Sequence, residues 1–188
     1  AGYAPTEPTG ALPEELLVAA WNVQVFGVSK MRKGDVVAEL VCVLRRYDVV
    51  AVQEVRDVSQ TAVPALLAAL NEGLDGCDAP HPCCGGQCYN VLVSNRLGAT
   101  SSKEQYAWFW RVDRVAPVAS WNASPASATG VSESGAFNRV PHAVRWRVAR
   151  SGHEFSAFVL HADPDDAVAE MHALSAEFAD GYEGSASA

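Results

Sequence analysis

Three polar residues interrupt apolar runs in this sequence at places where chemistry could be done. Asn22 follows "LVAAW", Glu54 follows "VVAVQ" and His161 follows "FSAFVL". Any one of them is most simply a strand reaching water. An amide, a carboxylate and an imidazole together, near the C-terminal ends of predicted strands, point to one site, because open sheets bind ligands at those ends. Glu54 has Gln53 before it and Arg56 two residues after it, a setting that suits a carboxylate held for a hard cation. A Mg²⁺ ion needs few protein oxygens and keeps waters for a phosphate ligand. Lys30, Arg32 and Lys33 follow Asn22 and read either as a solvated turn or as cations along the same edge.

The elements that must position these residues are legible from periodicity. Residues 1–16 form an extended lead-in containing three prolines. "LLVAAWNVQVF" is a buried strand that stops at Asn22 to present its amide. "GDVVAELVCVLRRY" places Val36, Val37, Leu40, Val43 and Leu44 on one helical face. "DVVAVQEV" is a nearly continuous apolar strand ending on Glu54. A β-α-β unit of this kind implies parallel strands. "TAVPALLAALNEGL" is a second helix with Pro64 in its first turn. Five short strands rich in aromatic and β-branched residues follow. "DDAVAEMHALSAEFADGY" is a last helix, with Asp163, Asp165 and Asp166 at its start. Residues 17–182 read as one domain and 183–188 as a tail.

The 188 residues are 49% hydrophobic and 19% charged, a globular composition with room for a core. The formal charge of −8 argues against a binder of nucleic acid through bulk basicity, though not against a local cationic groove. No apolar run reaches the length of a membrane span. Four of the five cysteines, Cys77, Cys83, Cys84 and Cys88, lie in "CDAPHPCCGGQC". They suit two short-range disulfides, a zinc site of four thiolates, or free and mixed thiols; the adjacent Cys83 and Cys84 make poor co-ligands for one ion. Cys42, on the apolar helix face, is expected to be a free core thiol. Asn122-Ala123-Ser124 is a glycosylation acceptor pattern. With an N-terminal Ala rather than Met, these features suggest a processed chain in a secretory or lumenal compartment.

"WNVQVFGVSKMRKGDVVAELVCVLRRYDVVAVQEVRD" resembles the first unit of the deoxyribonuclease I-like family within the endonuclease/exonuclease/phosphatase superfamily. The likeness continues through "VLVSNRLGATSSKEQYAWFWR", "FNRVPHAVRWRV" and "FVLHADPDDAVAEM", over about residues 17–178. It implies an α/β (α+β) four-layer sandwich, two mixed sheets flanked by helices, of which this sequence holds the first half and somewhat more. It implies divalent-metal-dependent hydrolysis of DNA phosphodiesters, with Mg²⁺ and, as alternatives, Ca²⁺ or Mn²⁺. By the same resemblance Glu54 corresponds to the metal-binding glutamate and Asn22 to the asparagine that supports the metal and phosphate. His161 corresponds to a catalytic histidine and Glu104 to the carboxylate that orients it. Arg56 corresponds to a minor-groove arginine and Arg139 to one near the phosphate backbone.

The sequence departs from the family in three ways. Gln24 stands where the family has arginine, and Ser102 where a tyrosine stacks on the DNA sugar. The family's later Gly-Asp-Phe-Asn and Ser-Asp-His blocks are not in these residues, so the expectation is an incomplete form whose inner sheet face needs cover from a partner, a second half-chain or a larger assembly. A non-catalytic relative serving as a structural subunit is the alternative reading. A phosphoesterase on a small diester or a phospholipid headgroup is a third.

Overall fold

In the computed structural model, the described residues are 15–72, 89–98, 103–122 and 135–184, with side chains described as far as 176. The four clustered cysteines, Ser102 and most of the lead-in lie outside them. Strands β1 (Val18–Phe26), β2 (Val49–Val55), β3 (Tyr89–Val93) and β4 (Gln105–Arg111) form one sheet in the order β1-β2-β4-β3. Strands β5 (Val115–Asn122), β6 (His142–Val148) and β7 (Glu154–Val159) form a second sheet, in sequence order. β1 and β2 are parallel, joined by α1 (Val28–Met31) and α2 (Gly34–Leu44), while β4 runs antiparallel to β2 and β3. The described ladders of the second sheet are antiparallel. This is the two-sheet α/β sandwich that the sequence implies.

Two apolar clusters hold the layers together. Leu40, Val41 and Leu44 of α2 and Val63, Leu66 and Leu70 of α3 (Ala62–Glu72) pack on Val50, Val52 and Phe109 of the first sheet. The opposite face of that sheet offers Val49, Ala51, Tyr106, Trp108 and Trp110 to Val144, Trp146 and Val159 of the second. Trp146 sits with its ring centre 5.9 Å from Trp108 and 5.5 Å from Trp110 in tilted and edge-on contacts, geometries that aromatic quadrupoles favour. Deep in this layer Trp108 Nε1 donates to His142 Nδ1 at 3.0 Å.

The loop into α3 is organised by one carboxylate. Asp57 accepts from the backbone N–H groups of Ser59, Thr61 and Ala62 and from the Ser59 hydroxyl. Burial opposes its charge, but these donors outweigh burial and hold its carboxyl at about 2. They satisfy helix-start donors that have no partner within the helix.

Four sequence expectations need correction. β1 does not stop at Asn22 but continues to Phe26 through an irregular stretch. Nor is it a buried strand: among the described residues it is a sheet edge, and Leu17, Val18 and Val25 remain exposed. The segment holding Lys30, Arg32 and Lys33 contains the short helix α1 rather than only a turn. Cys42 is disulfide-bonded rather than a free thiol, and every other cysteine of the chain lies within 77–88.

Two measurements check these features. Alkylation under denaturing, non-reducing conditions is expected to leave Cys42 unlabelled; a Cys42 that labels fully would contradict the bond. Burial pushes the His142 imidazole down to about 4 from an ordinary 6.5. Between those values the unfolded chain takes up a proton that the folded chain refuses, so stability present above pH 6.5 is lost as pH falls toward 4. The full effect is about 3 kcal/mol. His142→Gln, which keeps an acceptor for Trp108, is expected to flatten the denaturation midpoint across that window, and an unchanged slope would contradict it.

Candidate active site

Both ladders of β2 break at the same level, and that break makes the site. Asn22 pairs with Gln53 and Phe26 with Val55, so Val23, Gln24 and Val25 of β1 face only Glu54. On the other side Val52 pairs with Ala107 and Val55 with Gln105, so Gln53 and Glu54 face only Tyr106. Extra residues in a ladder kink the strand and leave backbone groups to find other partners. Gln24, Val25 and Glu54 all take positive φ, at 51°, 53° and 59°. That region is strained for residues with a Cβ, most of all for β-branched valine.

The redirected backbone grips side chains of the site. The Val25 N–H donates to Glu54 Oε2 at 2.9 Å, and the Gln24 N–H donates to Asn22 Oδ1 at 2.8 Å. Because that oxygen is held by Gln24, the Asn22 amide turns its Nδ2 to Glu54 Oε1 at 2.8 Å. Burial works to raise the Glu54 carboxyl. The Asn22 and Val25 donors, with His161 and Arg56 nearby, outweigh it and keep Glu54 below the ordinary carboxylate range. A charged carboxylate is therefore held in place with lone pairs to spare.

His161 approaches from the second sheet, two residues past β7. Its Nδ1 lies 2.7 Å from Glu104 Oε2. Its Nε2 lies 3.4 Å from Asn22 Nδ2 and 3.6 Å from Glu54 Oε1. A neutral ring facing a carboxylate through Nδ1 carries its proton there, which leaves the Nε2 lone pair to receive the Asn22 amide. Glu104 is buried and also pairs with Arg139 Nε at 3.1 Å, with Arg56 Nε farther off at 3.9 Å. Two cations and an imidazole around one buried carboxylate satisfy the requirement that buried charge be compensated.

Asn22, Glu54, Glu104, His161, Arg56 and Arg139 thus meet at one place, although they come from both sheets. Lys30, Arg32 and Lys33 do not join this network. The Gln24 side chain, at the arginine position of the resemblance, is exposed, and its backbone rather than its side chain serves the site. Two participants carried no expectation. Tyr106 Oη accepts from the His161 N–H at 2.9 Å, and Gln53 Nε2 donates to Leu160 O at 3.3 Å. Period-two alternation puts Tyr106 on the same face as Glu104, the one sequence signal that points to it.

Glu54 is the residue of this cluster whose charged carboxylate could hold a hard cation. Glu54 is a single anionic ligand, and no group of three or more His, Cys, Asp or Glu able to hold a metal occurs among the described residues. Zinc would call for more protein ligands, whereas Mg²⁺ accepts one or two carboxylates with water and phosphate completing its shell. Asn22 orients the carboxylate through Nδ2, and its oxygen, which accepts one bond from the Gln24 N–H, keeps a second lone pair.

Deoxyribonuclease-1 of Homo sapiens is 40% identical to this chain over 160 residues, covering 85% of the chain and 52% of the relative. The Canis lupus familiaris protein of the same name is 38% identical with the same coverage. The chain spans about half the length of the curated relatives it matches. An endonuclease/exonuclease/phosphatase family protein of Bacteroides thetaiotaomicron superposes with a TM-score of 0.56 at 16% identity, over 88% of this chain and 57% of its own. A mannosyl-6-phosphatase of the same bacterium gives the same TM-score and identity over 88% and 60%. At that identity the likeness shows a shared fold. No family model matches the chain.

The strained bulge yields a direct test. Val25 is 51% exposed, so its side chain loses little burial on substitution, and asparagine tolerates positive φ far better than valine. Val25→Asn is expected to raise stability by about 1 kcal/mol in denaturant unfolding. Val25→Pro, which removes the N–H held by Glu54, is expected to destabilise by about 3 kcal/mol. A destabilised asparagine variant would mean the bulge is not strained at Val25.

Proposed function

The chain is a homologue of deoxyribonuclease-1 over 85% of its length, and from that premise we propose that it serves divalent-metal-dependent hydrolysis of DNA phosphodiesters. The observation that carries this reading is the convergence of a charged, doubly bonded Glu54 with a His161 whose Nδ1 is engaged by Glu104. In this reading Glu54 holds Mg²⁺, with Mn²⁺ or Ca²⁺ as substitutes, and Asn22 fixes the carboxylate. The cation's chemistry is to offset charge developing on the phosphate oxygens.

The chain's own groups do the rest. With Nδ1–H kept on the Glu104 side, His161 in its doubly protonated form donates from Nε2–H to the scissile phosphate or its leaving oxygen. Glu104 sets the tautomer and ring orientation. Arg139 follows the phosphate backbone and Arg56 enters the minor groove, where width and shape rather than base identity are read. The disulfide at Cys42 supports an oxidising, extracytoplasmic setting. No described helix is long and apolar enough to cross a membrane.

A second reading, a non-catalytic subunit of a larger assembly, is favoured by one feature. Leu17, Val18 and Val25 along edge strand β1, and Val168 and Met171 on α4 (Ala167–Gly184), are exposed apolar side chains. Such surface suits contact with another polypeptide.

Plasmid nicking by the native polypeptide that carries this sequence separates the two. Mg²⁺-dependent conversion of supercoiled to open-circular DNA is expected, falling at least about 100-fold in both Glu54→Gln and His161→Ala. Nicking that survives Glu54→Gln would sink the site assignment. Nicking absent from the native polypeptide would leave the subunit reading.

A further inference from the structure

His161 lies beyond the last paired residue of β7, so no ladder bond fixes its backbone. Side chains of other segments take over that task. Gln53 Nε2 of β2 donates to Leu160 O at 3.3 Å, the His161 N–H donates to Tyr106 Oη of β4 at 2.9 Å, and Arg139 Nη1 donates to His161 O at 3.3 Å. Tyr106 is the most deeply rooted of the three. It is 2% exposed and belongs to the apolar layer between the sheets, with Leu97, Trp108, Val144 and Trp146.

The geometry points to Tyr106 as a positioning residue for His161, acting through the bond from the His161 N–H to its hydroxyl. Glu104 and Tyr106 are two residues apart on one face of the same chain segment. One grips the imidazole at Nδ1 and the other grips the backbone of the same residue. Two anchors from one rigid segment fix where Nε2 points. The sheet then sets the 3.6 Å between Nε2 and Glu54 Oε1, rather than the loop that carries the histidine. Sites held by sheet residues keep their geometry more closely than sites left to loops, and small misplacements cost rate steeply. Burial also pushes the Tyr106 phenol far above its ordinary range, so the hydroxyl stays protonated.

The inference rests on the hydrolytic reading for its consequence, but its geometry is testable without activity. The native polypeptide, ¹⁵N-labelled at histidine, is expected to show a slowly exchanging ring N–H resonance of His161 that disappears in Glu104→Gln. Tyr106→Phe keeps the buried ring and removes only the hydroxyl. It is expected to abolish or broaden that resonance and to lower plasmid-nicking turnover about tenfold to a hundredfold with KM unchanged. Gln53→Leu, a second variant from the other anchor, is expected to broaden the resonance less.

A Tyr106→Phe protein that loses thermal stability but keeps the resonance and the turnover would overturn the inference and leave Tyr106 as core packing. A resonance lost on Tyr106→Phe in a polypeptide that nicks no DNA would support the positioning role while removing the hydrolytic reading. Absence of any Glu104-dependent ring resonance in the native polypeptide would overturn the inference at its first step. Should Tyr106→Phe fail to fold, an unchanged resonance in Gln53→Leu would overturn the account of how the segment is held.

Discussion

The interruption of both β2 ladders at Glu54 is the constraint on which the rest depends. A strand paired on both sides has its N–H and C=O groups committed to its neighbours, and its side chains alternate into the two packed faces. At Glu54 three residues of β1 stand opposite one of β2, and two of β2 stand opposite one of β4. Two of the backbone groups released there take side-chain partners. The amides of Gln24 and Val25 turn onto Asn22 and Glu54. The positive φ of three non-glycine residues is the conformational cost of that redirection, of a kind that persists only where surrounding packing enforces it.

That packing comes from two sides. The helix layer fixes β1 and β2 through Phe26, Val50, Val52 and Val55, so the residues flanking the bulge on both strands are held while the bulge itself is open. Asp57 pins the next loop to the start of α3, which limits how far Arg56 can wander. On the opposite face the tryptophan layer joins β4 to β6, and β7 is carried with β6. The spacing of the sheets therefore determines the distance from Glu104 to His161. Ionic contacts at Glu104 can be short because apolar packing has already set the separation; an ion pair alone would barely repay its desolvation.

Much of this architecture is legible in the sequence. Apolar spacing at Val36, Val37, Leu40 and Leu44 identifies α2, and the two apolar runs around it identify a parallel pair. The three interruptions at Asn22, Glu54 and His161 lie together in space, although Asn22 sits within β1 rather than at its end. What the pattern does not carry is the bulge. Alternation describes regular pairing, so an apolar β1 containing Asn22 reads as a strand that ends, when it bends and resumes. An edge strand and a central strand can be equally apolar, and for that reason Leu17 and Val18 read as buried. Cys42 looks like a core thiol because a disulfide depends on a partner distant in sequence. Tyr106 looks like one more core aromatic, since only the folded chain places its hydroxyl against the His161 backbone.

The most direct measurement follows Mn²⁺, standing in for Mg²⁺, by paramagnetic broadening in the ¹⁵N-labelled polypeptide. If Glu54 is where cation and imidazole act together, substoichiometric Mn²⁺ broadens the Val25 amide, the Asn22 side-chain amide and the His161 ring signals first, and Glu54→Gln removes the effect. Broadening centred instead on Asp163, Asp165 and Asp166, or an effect that survives Glu54→Gln, would contradict the account.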